Sequence, residues 1–397
     1  MKIKLAKSEI IHFVGIGGIG MSGLALIMQS MGFKIQGSDI SNNKNIERLK
    51  KNKIKVIIGH KKQNIKKATI IVISSAIKNN NSEIKEAKKN KLPIYKRGDM
   101  LGHITSLSKN ITVVGSHGKT TTTSLISGIF SKTNLDPTVI NGGIINSFDN
   151  SAIFGKSKWS ILELDESDGS FTKVLPTYSI ITNIDREHMD FYKSMKKLLK
   201  HFEEFTEKVP SFGKSLICID DKNNKNLIKK IKIRNFYTYG LNPKSNFQIK
   251  NIIYKKNSSK FDVLVRLPSK KRLMIKNIII PLLGLHNIRN STAAIAVTFI
   301  IGISIKTIKN GLSQFKGVQR RFNKLFKYRG IEFFDDYAHH PSEIKEVLSG
   351  VKEVYKNEKI ICIFQPHRIS RLKDLKEDFS KSFKNADEVV LCPLYTA

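Results

Sequence analysis

Ile111 to Val114 is a short, largely apolar β-branched run, followed at once by Gly115-Ser116-His117-Gly118-Lys119-Thr120 and three further threonines. A short β-branched run of this kind predicts a strand buried on both faces, and the threonines behind the lysine predict a helix start. A glycine turn between them makes a strand–turn–helix unit, which restricts the chain to an α/β architecture. The same geometry aims backbone N–H groups and the positive end of a helix dipole at one spot, which suits a phosphate. In the common G-x-x-x-x-G-K-[ST] loop the lysine reaches the β- and γ-phosphates and the hydroxyl sits on Mg²⁺. Here the loop is shorter, G-x-x-G-K-T. An ordinary Gly-Lys turn is the plainer alternative, and the strand before it and the threonines after it argue against that.

A chain of 397 residues has room for two or three domains. Its 40% hydrophobic and 26% charged content is that of an ordinary soluble protein. Cys218, Cys362 and Cys392 form no C-x-x-C pair, which predicts reduced thiols in a cytoplasmic protein. Lys2 and Lys4 before an apolar stretch imitate a signal peptide, but Gly15, Gly17, Gly18, Gly20 and Gly23 interrupt it. The apolar run from Thr292 to Ile305 is shorter than the roughly 20 residues of a membrane span. The expectation is therefore no membrane partner. The formal charge of +36 invites a nucleic-acid reading, yet the lysines are scattered, keep company with Asn and Ile, and lack interleaved aromatics. No nucleic-acid partner is expected, although the charge would help attract anionic nucleotides.

Strand and helix patterns alternate along the chain. Strands are expected at Ile10 to Val14, Lys34 to Gly37, Val56 to Ile58, Ile70 to Ser74 and Leu92 to Tyr95, with helices from Met21 to Met31 and Arg97 to Leu107. A second unit opens at Ile111 and continues with strands at Trp159 to Leu164 and Tyr178 to Asn183 and a helix from Lys193 to Thr206. Phe247 to Ile280 alternates like antiparallel strands, and Asn290 to Phe299 is an alanine-rich helix. After a junction at Gly317 to Phe322, strands are expected at Ile331 to Asp335, Ile360 to Phe364 and Glu388 to Leu391. Three α/β units in series result, divided at 1–107, 108–316 and 317–397.

Gly15-Ile16-Gly17-Gly18-Ile19-Gly20 matches G-x-G-x-x-G behind a strand, with Asp39 about 20 residues beyond. This predicts a diphosphate on a helix N-terminus and leaves NAD, FAD and UDP-sugars open. Glu163-Leu164-Asp165-Glu166-Ser167-Asp168 places four carboxylates at a strand end, where their repulsion calls for a cation such as Mg²⁺. His188, in Asn183-Ile184-Asp185-Arg186-Glu187-His188, is either a metal ligand or a helix-start histidine, and spacing alone favours the latter.

Six motifs then stand in one order: Gly115 to Thr122, Glu163 to Asp168, Thr182 to Asp190, Gly284-Leu285-His286-Asn287 with Asn290, Arg320-Arg321-Phe322, and Asp335-Asp336-Tyr337-Ala338-His339-His340-Pro341. Over essentially the whole chain this resembles the Mur ligases, nearest to the branch that joins L-alanine to UDP-N-acetylmuramate. The resemblance implies a Rossmann-like UDP-sugar domain, a central P-loop ATPase domain and a Rossmann-like amino-acid domain. It implies that Gly15, Gly17, Gly18, Ile19 and Gly20, with Ser38 and Asp39, hold the UDP-sugar. Gly115, Ser116, His117, Gly118, Lys119, Thr120, Thr121, His286, Asn287, Arg321 and Asp336 would hold ATP. Thr120, Glu163 and His188 would bind Mg²⁺, so for His188 the resemblance points the opposite way from spacing. Lys119, Glu163 and His188 would carry the catalysis. Tyr337, His339, Arg368 and Arg371 would receive L-alanine.

The reaction so implied is attack of the substrate's lactyl carboxylate on the γ-phosphate, giving an acyl phosphate that the amine then opens. A monomer or homodimer is expected. The chain stops soon after the Glu388 to Leu391 strand, so the third domain is expected to be truncated and the region from Arg320 onward less stable than the rest. A sister ligase that recycles murein peptides, and a basic nucleotide- or nucleic-acid-binding protein without ligase activity, are the alternatives.

Overall fold

The computed structural model describes residues 9–106, 108–146, 150–232, 234–268 and 271–395. Expectations touching 1–8, 107, 396 and 397, including the end of the 97–107 helix, lie outside them. Strands β1 (Ile10–Val14), β2 (Lys34–Asp39), β3 (Lys55–Ile58), β4 (Ile70–Ile73) and β5 (Ile94–Lys96) form a parallel sheet ordered β3-β2-β1-β4-β5. Phe13 and Val14 are fully buried, as a central strand covered on both faces requires. Strand order reverses beside β1, so the Gly15 loop leaves the sheet at a topological switch point, where α/β sheets bind ligands.

The second sheet has ten strands: β6 (Lys109–Val114), β7 (Thr138–Ile145), β8 (Asn150–Ile153), β9 (Trp159–Glu163), β10 (Tyr178–Ile181), β11 (Lys214–Cys218), β12 (Phe236–Gly240), β13 (Phe247–Lys255), β14 (Ser258–Val265) and β15 (Leu273–Ile280). β6 lies between β10 and β9, parallel to both. Its carboxyl end is a second switch point, and the phosphate loop leaves from it. β13 to β15 are the expected antiparallel strands, and β13 joins β12 in parallel, extending the same sheet.

β7 was not expected, because Asn141-Gly142-Gly143 breaks its pattern; tertiary context overrides that, as the Gly142 N–H donates to Glu163 Oε2 at 2.6 Å. The alanine-rich helix is Leu285–Ile301, longer than expected. Gly284, at φ 85°, turns the chain into it, so His286 and Asn287 occupy the first turn. Among the described residues no helix is long and apolar enough to cross a membrane.

The third unit pairs β16 (Asn323–Tyr328) with β17 (Ile331–Asp335) antiparallel, and β18 (Ile361–Phe364) with β19 (Glu388–Leu391) parallel. Its small core gathers Ile344, Leu348, Ile360, Phe364, Leu375 and Phe379. The first two units, by contrast, share one apolar cluster, in which Met100, Leu101 and Ile104 meet Leu164, Phe171 and Val174.

Candidate active site

The phosphate loop is shaped by two glycines. Gly115 has φ 135° and Gly118 φ 81°, and a Cβ on either would lie 2.1 Å from Thr182 Oγ1 or 2.6 Å from Asn290 Oδ1. No other residue fits both the backbone and the space. The segment after β10 braces the loop. Ser116 and His117 donate their N–H groups to Asn183 O (3.0 Å) and Asn183 Oδ1 (2.9 Å), and Thr182 Oγ1 donates to His117 O at 2.7 Å. The amides of Ser116 and His117 are therefore engaged internally, and the helix Lys119–Phe130 presents its first-turn N–H groups beyond them.

Lys119 Nζ donates to Gly115 O (2.6 Å), Ser116 O (3.2 Å) and Glu166 Oε2 (2.8 Å). Burial by itself would lower its pKa, but Glu166 and Glu163 outweigh burial and hold the ammonium above its ordinary value. Thr120 Oγ1 donates to Glu163 Oε1 at 3.0 Å. Burial raises the Glu163 carboxyl above its usual range against the pull of Lys119.

The four-carboxylate segment divides by role. Asp165 and Asp168 accept the N–H groups of Ser167 and Ser170, both at 2.9 Å, and so shape turns. Glu166 turns inward, with Oε1 buried, without a hydrogen-bond partner and 3.5 Å from His188 Nε2. His188 precedes the short helix Met189–Tyr192, with φ 57°, and its ring faces Glu166 and Glu187. Glu166, Glu187 and His188 offer ligand atoms all within 4.8 Å of one another. The expected metal set is thus split into Thr120 with Glu163 and His188 with Glu166. An orphaned buried carboxylate oxygen beside an imidazole fits a hard divalent cation.

Next to the loop is a cavity of about 320 Å³, walled by Tyr239, Leu282, Phe315 and Val318, with Gly118 and Thr121 also lining it. His286, Asn287, Arg321 and Asp336 line it too. Burial lowers the His286 pKa and pushes the Asp336 carboxyl up to about 6, partly offset by Arg321. Asp336 accepts the N–H groups of Phe322 (2.8 Å) and Ala338 (2.7 Å), which fixes the junction between second and third units.

In the third unit, Tyr337 and His339 lie together, His339 Nδ1 being 2.8 Å from Tyr337 O. Arg371 Nη2 pairs with Glu187 Oε1 at 3.3 Å, and its Nη1 is buried without a hydrogen-bond partner. Arg368 is exposed.

In the first unit Gly15, at φ 82°, turns the chain out of β1, and Gly18, Ile19 and Gly20 lie exposed at the helix start. The Gly17 N–H donates to Asp39 Oδ2 at 2.7 Å, so Asp39 braces the loop. Ser38 is fully buried: its carbonyl accepts from Gly15 and Ile16, and its hydroxyl donates to Glu83 Oε2 at 2.6 Å. Ser38 thus supports the loop through its carbonyl. Arg97, which the motifs did not single out, packs against Gly20, where an added Cβ would lie 3.2 Å from its guanidinium. Asp185 and Glu343, which meet the loop only through tertiary contacts, and Glu187, which meets Arg371 and His188, were also missed as site residues.

Models of three Mur ligase domains match the chain in order: the Mur ligase family catalytic domain over residues 10–109, the middle domain over 113–298 and the glutamate ligase domain over 320–396. A UDP-N-acetylmuramate–L-alanine ligase of Pelagibacter ubique is 70% identical over 397 residues, all of this chain and 86% of that protein. The enzyme of that name from Bartonella bacilliformis is 44% identical, over all of this chain and 83% of its own length. The crystal structure of UDP-N-acetylmuramate-alanine ligase MurC from Thermotoga maritima superposes with a TM-score of 0.78 at 31% identity, covering 97% of this chain and 85% of that one. A murein peptide ligase from Psychrobacter arcticus shares the fold, with a TM-score of 0.75 at 23% identity. The expectation of a truncated third domain is not supported, because the glutamate ligase domain is present and matched through residue 396. With its three-domain α/β fold, the chain belongs to the Mur ligase family.

Proposed function

We propose that this chain is the ATP-dependent ligase that joins L-alanine to the lactyl carboxylate of UDP-N-acetylmuramate, a step of peptidoglycan precursor synthesis. The observation that carries this is the 70% identity, over the whole chain, to an enzyme of that name. The murein-peptide reading has only a likeness of fold behind it. The reading takes 1–107 as the UDP-sugar domain, 108–316 as the ATPase domain and 317–397 as the amino-acid domain, in a cytoplasmic monomer or homodimer.

The phosphate loop and the first-turn N–H groups of Lys119–Phe130 hold the ATP phosphates, and the cavity beside Tyr239 and Phe315 takes the base. The lactyl carboxylate attacks the γ-phosphorus, the bond to the β–γ bridging oxygen breaks, and ADP departs from an acyl phosphate. This transfer depends on positioning and charge neutralisation, to which Lys119 contributes a fixed positive charge. Thr120 with Glu163, and His188 with Glu166, are the residues that would hold Mg²⁺, whose chemistry here is to neutralise phosphate charge. The amine of L-alanine then attacks the acyl carbon, phosphate leaves with the electrons of the C–O bond, and the nitrogen gives up a proton. Arg371, with one arm on Glu187 and the other unengaged, is suited to grip the amino acid's carboxylate.

The test is phosphate release measured with each substrate omitted in turn. Release is expected only with ATP, UDP-N-acetylmuramate and L-alanine together, and Lys119→Ala should abolish it. Release that needs a murein peptide in place of L-alanine would overturn the reading.

A further inference from the structure

His117 stands inside the phosphate loop and lines the cavity beside it, and both of its ring nitrogens face carboxylates. Nε2 is 3.3 Å from Asp185 Oδ2, and Nδ1 is 3.3 Å from Glu343 Oε1. Asp185 belongs to the second unit and Glu343 to the third, in the first turn of the helix Pro341–Val354. Three further contacts surround this bridge. Ser342 Oγ donates to Asp185 Oδ2 at 2.5 Å, the His340 ring lies 4.7 Å from the His117 ring, and Arg321 Nη1 is 3.8 Å from Glu343 Oε1. The second oxygen of Glu343 accepts the N–H groups of His339 (3.0 Å) and His340 (3.3 Å) as the helix cap. One carboxylate therefore holds the imidazole of the nucleotide loop with one oxygen and, with the other, the backbone next to Tyr337 and His339.

We propose that His117 is a positioning residue that docks the amino-acid unit onto the nucleotide loop, setting where the incoming amine meets the activated carboxyl. His117 lies two residues before Lys119, and its backbone is fixed by Thr182 and Asn183. The bridge thus ties the register of the third unit to the group that neutralises the phosphate. His117 acts through Glu343 and Asp185 and touches no reacting atom. This inference rests on the ligase reading, and a wild-type protein that releases no phosphate with the three substrates would defeat that reading separately.

The test is a double-mutant cycle on Glu343→Gln and His117→Gln, with KM measured for each substrate and equilibrium binding of a non-hydrolysable ATP analogue. A glutamine at 343 can still accept the cap hydrogen bonds, so the helix start is kept. Glu343→Gln should raise the KM for L-alanine about tenfold and leave analogue affinity within about twofold. The double variant should be no worse than the more affected single one. Ser342→Ala, which removes only the hydroxyl on Asp185, should raise the same KM by a smaller factor. Effects that multiply independently, or a loss confined to ATP-analogue binding in His117→Gln with the L-alanine KM unchanged, would overturn the proposal.

Discussion

The first and second units meet mainly through apolar packing, with the Lys173–Asp99 ion pair at its edge, whereas the third meets the second largely through charges. In the first case Gly98 and Gly102 bring the helix Arg97–Thr105 onto Ser170 and Lys173 so closely that an added Cβ would lie 2.5 Å from Ser170 Cβ or 2.8 Å from Lys173 O. Met100, Leu101, Ile104, Phe171 and Val174 close over it. In the second case the contacts include His117 with Glu343, Ser342 with Asp185, and Arg371 with Glu187, while Asp185 holds the His117 ring from within the second unit. Apolar burial is indifferent to substrate charge and is lost only by exposing area to water. Ion pairs can be exchanged for the charges of a phosphate or an amino acid. The molecule thus has a fixed platform of two units and a third whose seating can respond to what is bound.

The contrast breaks most sharply at Gly102. Gly102→Leu drives a side chain into the Lys173 backbone carbonyl, which cannot rotate aside, and should cost about 3 kcal/mol. Urea unfolding followed by fluorescence checks it, and an unchanged midpoint would show that the junction is not tightly packed. Asp185→Asn, which leaves His117 with one charged partner, should loosen the third unit by about 2 kcal/mol. Raising the salt concentration should imitate that change and reach the first junction only through its partly exposed Lys173–Asp99 pair. Hydrogen exchange in Pro341–Val354 compared with Arg97–Thr105 reads both.

The ionic junction should also have a pH window. Burial opposes the charge on His117, but Asp185 from its own unit and Glu343 from the third raise its pKa from 6.5 to about 10. Its contribution is then complete below 6.5 and is lost as pH rises toward 10. Asp185 and Glu343 are held below their ordinary values of 3.8 and 4.5, so theirs is present above those values and lost as pH falls. Burial keeps His340 neutral, with its pKa lowered to about 4, so it does not repel the imidazolium at neutral pH. Small-angle scattering should find the most compact form between pH 5 and 6.5 and expansion above pH 9. A constant radius across that range would contradict the ionic account.

The phosphate loop was legible in the sequence because its geometry is local: a strand, two glycines and a lysine suffice to define it. The acidic segment was legible as a group but not residue by residue. Which carboxylate turns inward depends on Ser167 and Ser170 taking Asp165 and Asp168 into turns. The role of His117 was hidden, since its partners come from distant segments that no spacing rule connects. A signal for the apolar junction was present: Gly98 and Gly102 fall four apart in a helical stretch and so share one face, which marks close approach. β7 stayed hidden because its glycines serve Glu163 and not strand propensity.

Ser342→Ala is the smallest perturbation and separates the two kinds of contact within the charged junction. Its hydroxyl donates to Asp185 Oδ2, the same oxygen that pairs with His117 Nε2. Removing it leaves the ion pair in place and takes away one hydrogen bond to a charged acceptor, an expected loss of about 1 kcal/mol. The Asp185 carboxylate would also lose one of the groups that hold its pKa down, so the acid edge of the docking window should move upward. If instead the loss equalled that of Asp185→Asn, the hydroxyl and not the imidazolium would be carrying the contact. The junction would then be a neutral hydrogen-bonded seam, and the salt and pH responses that distinguish it from the apolar platform would vanish with it.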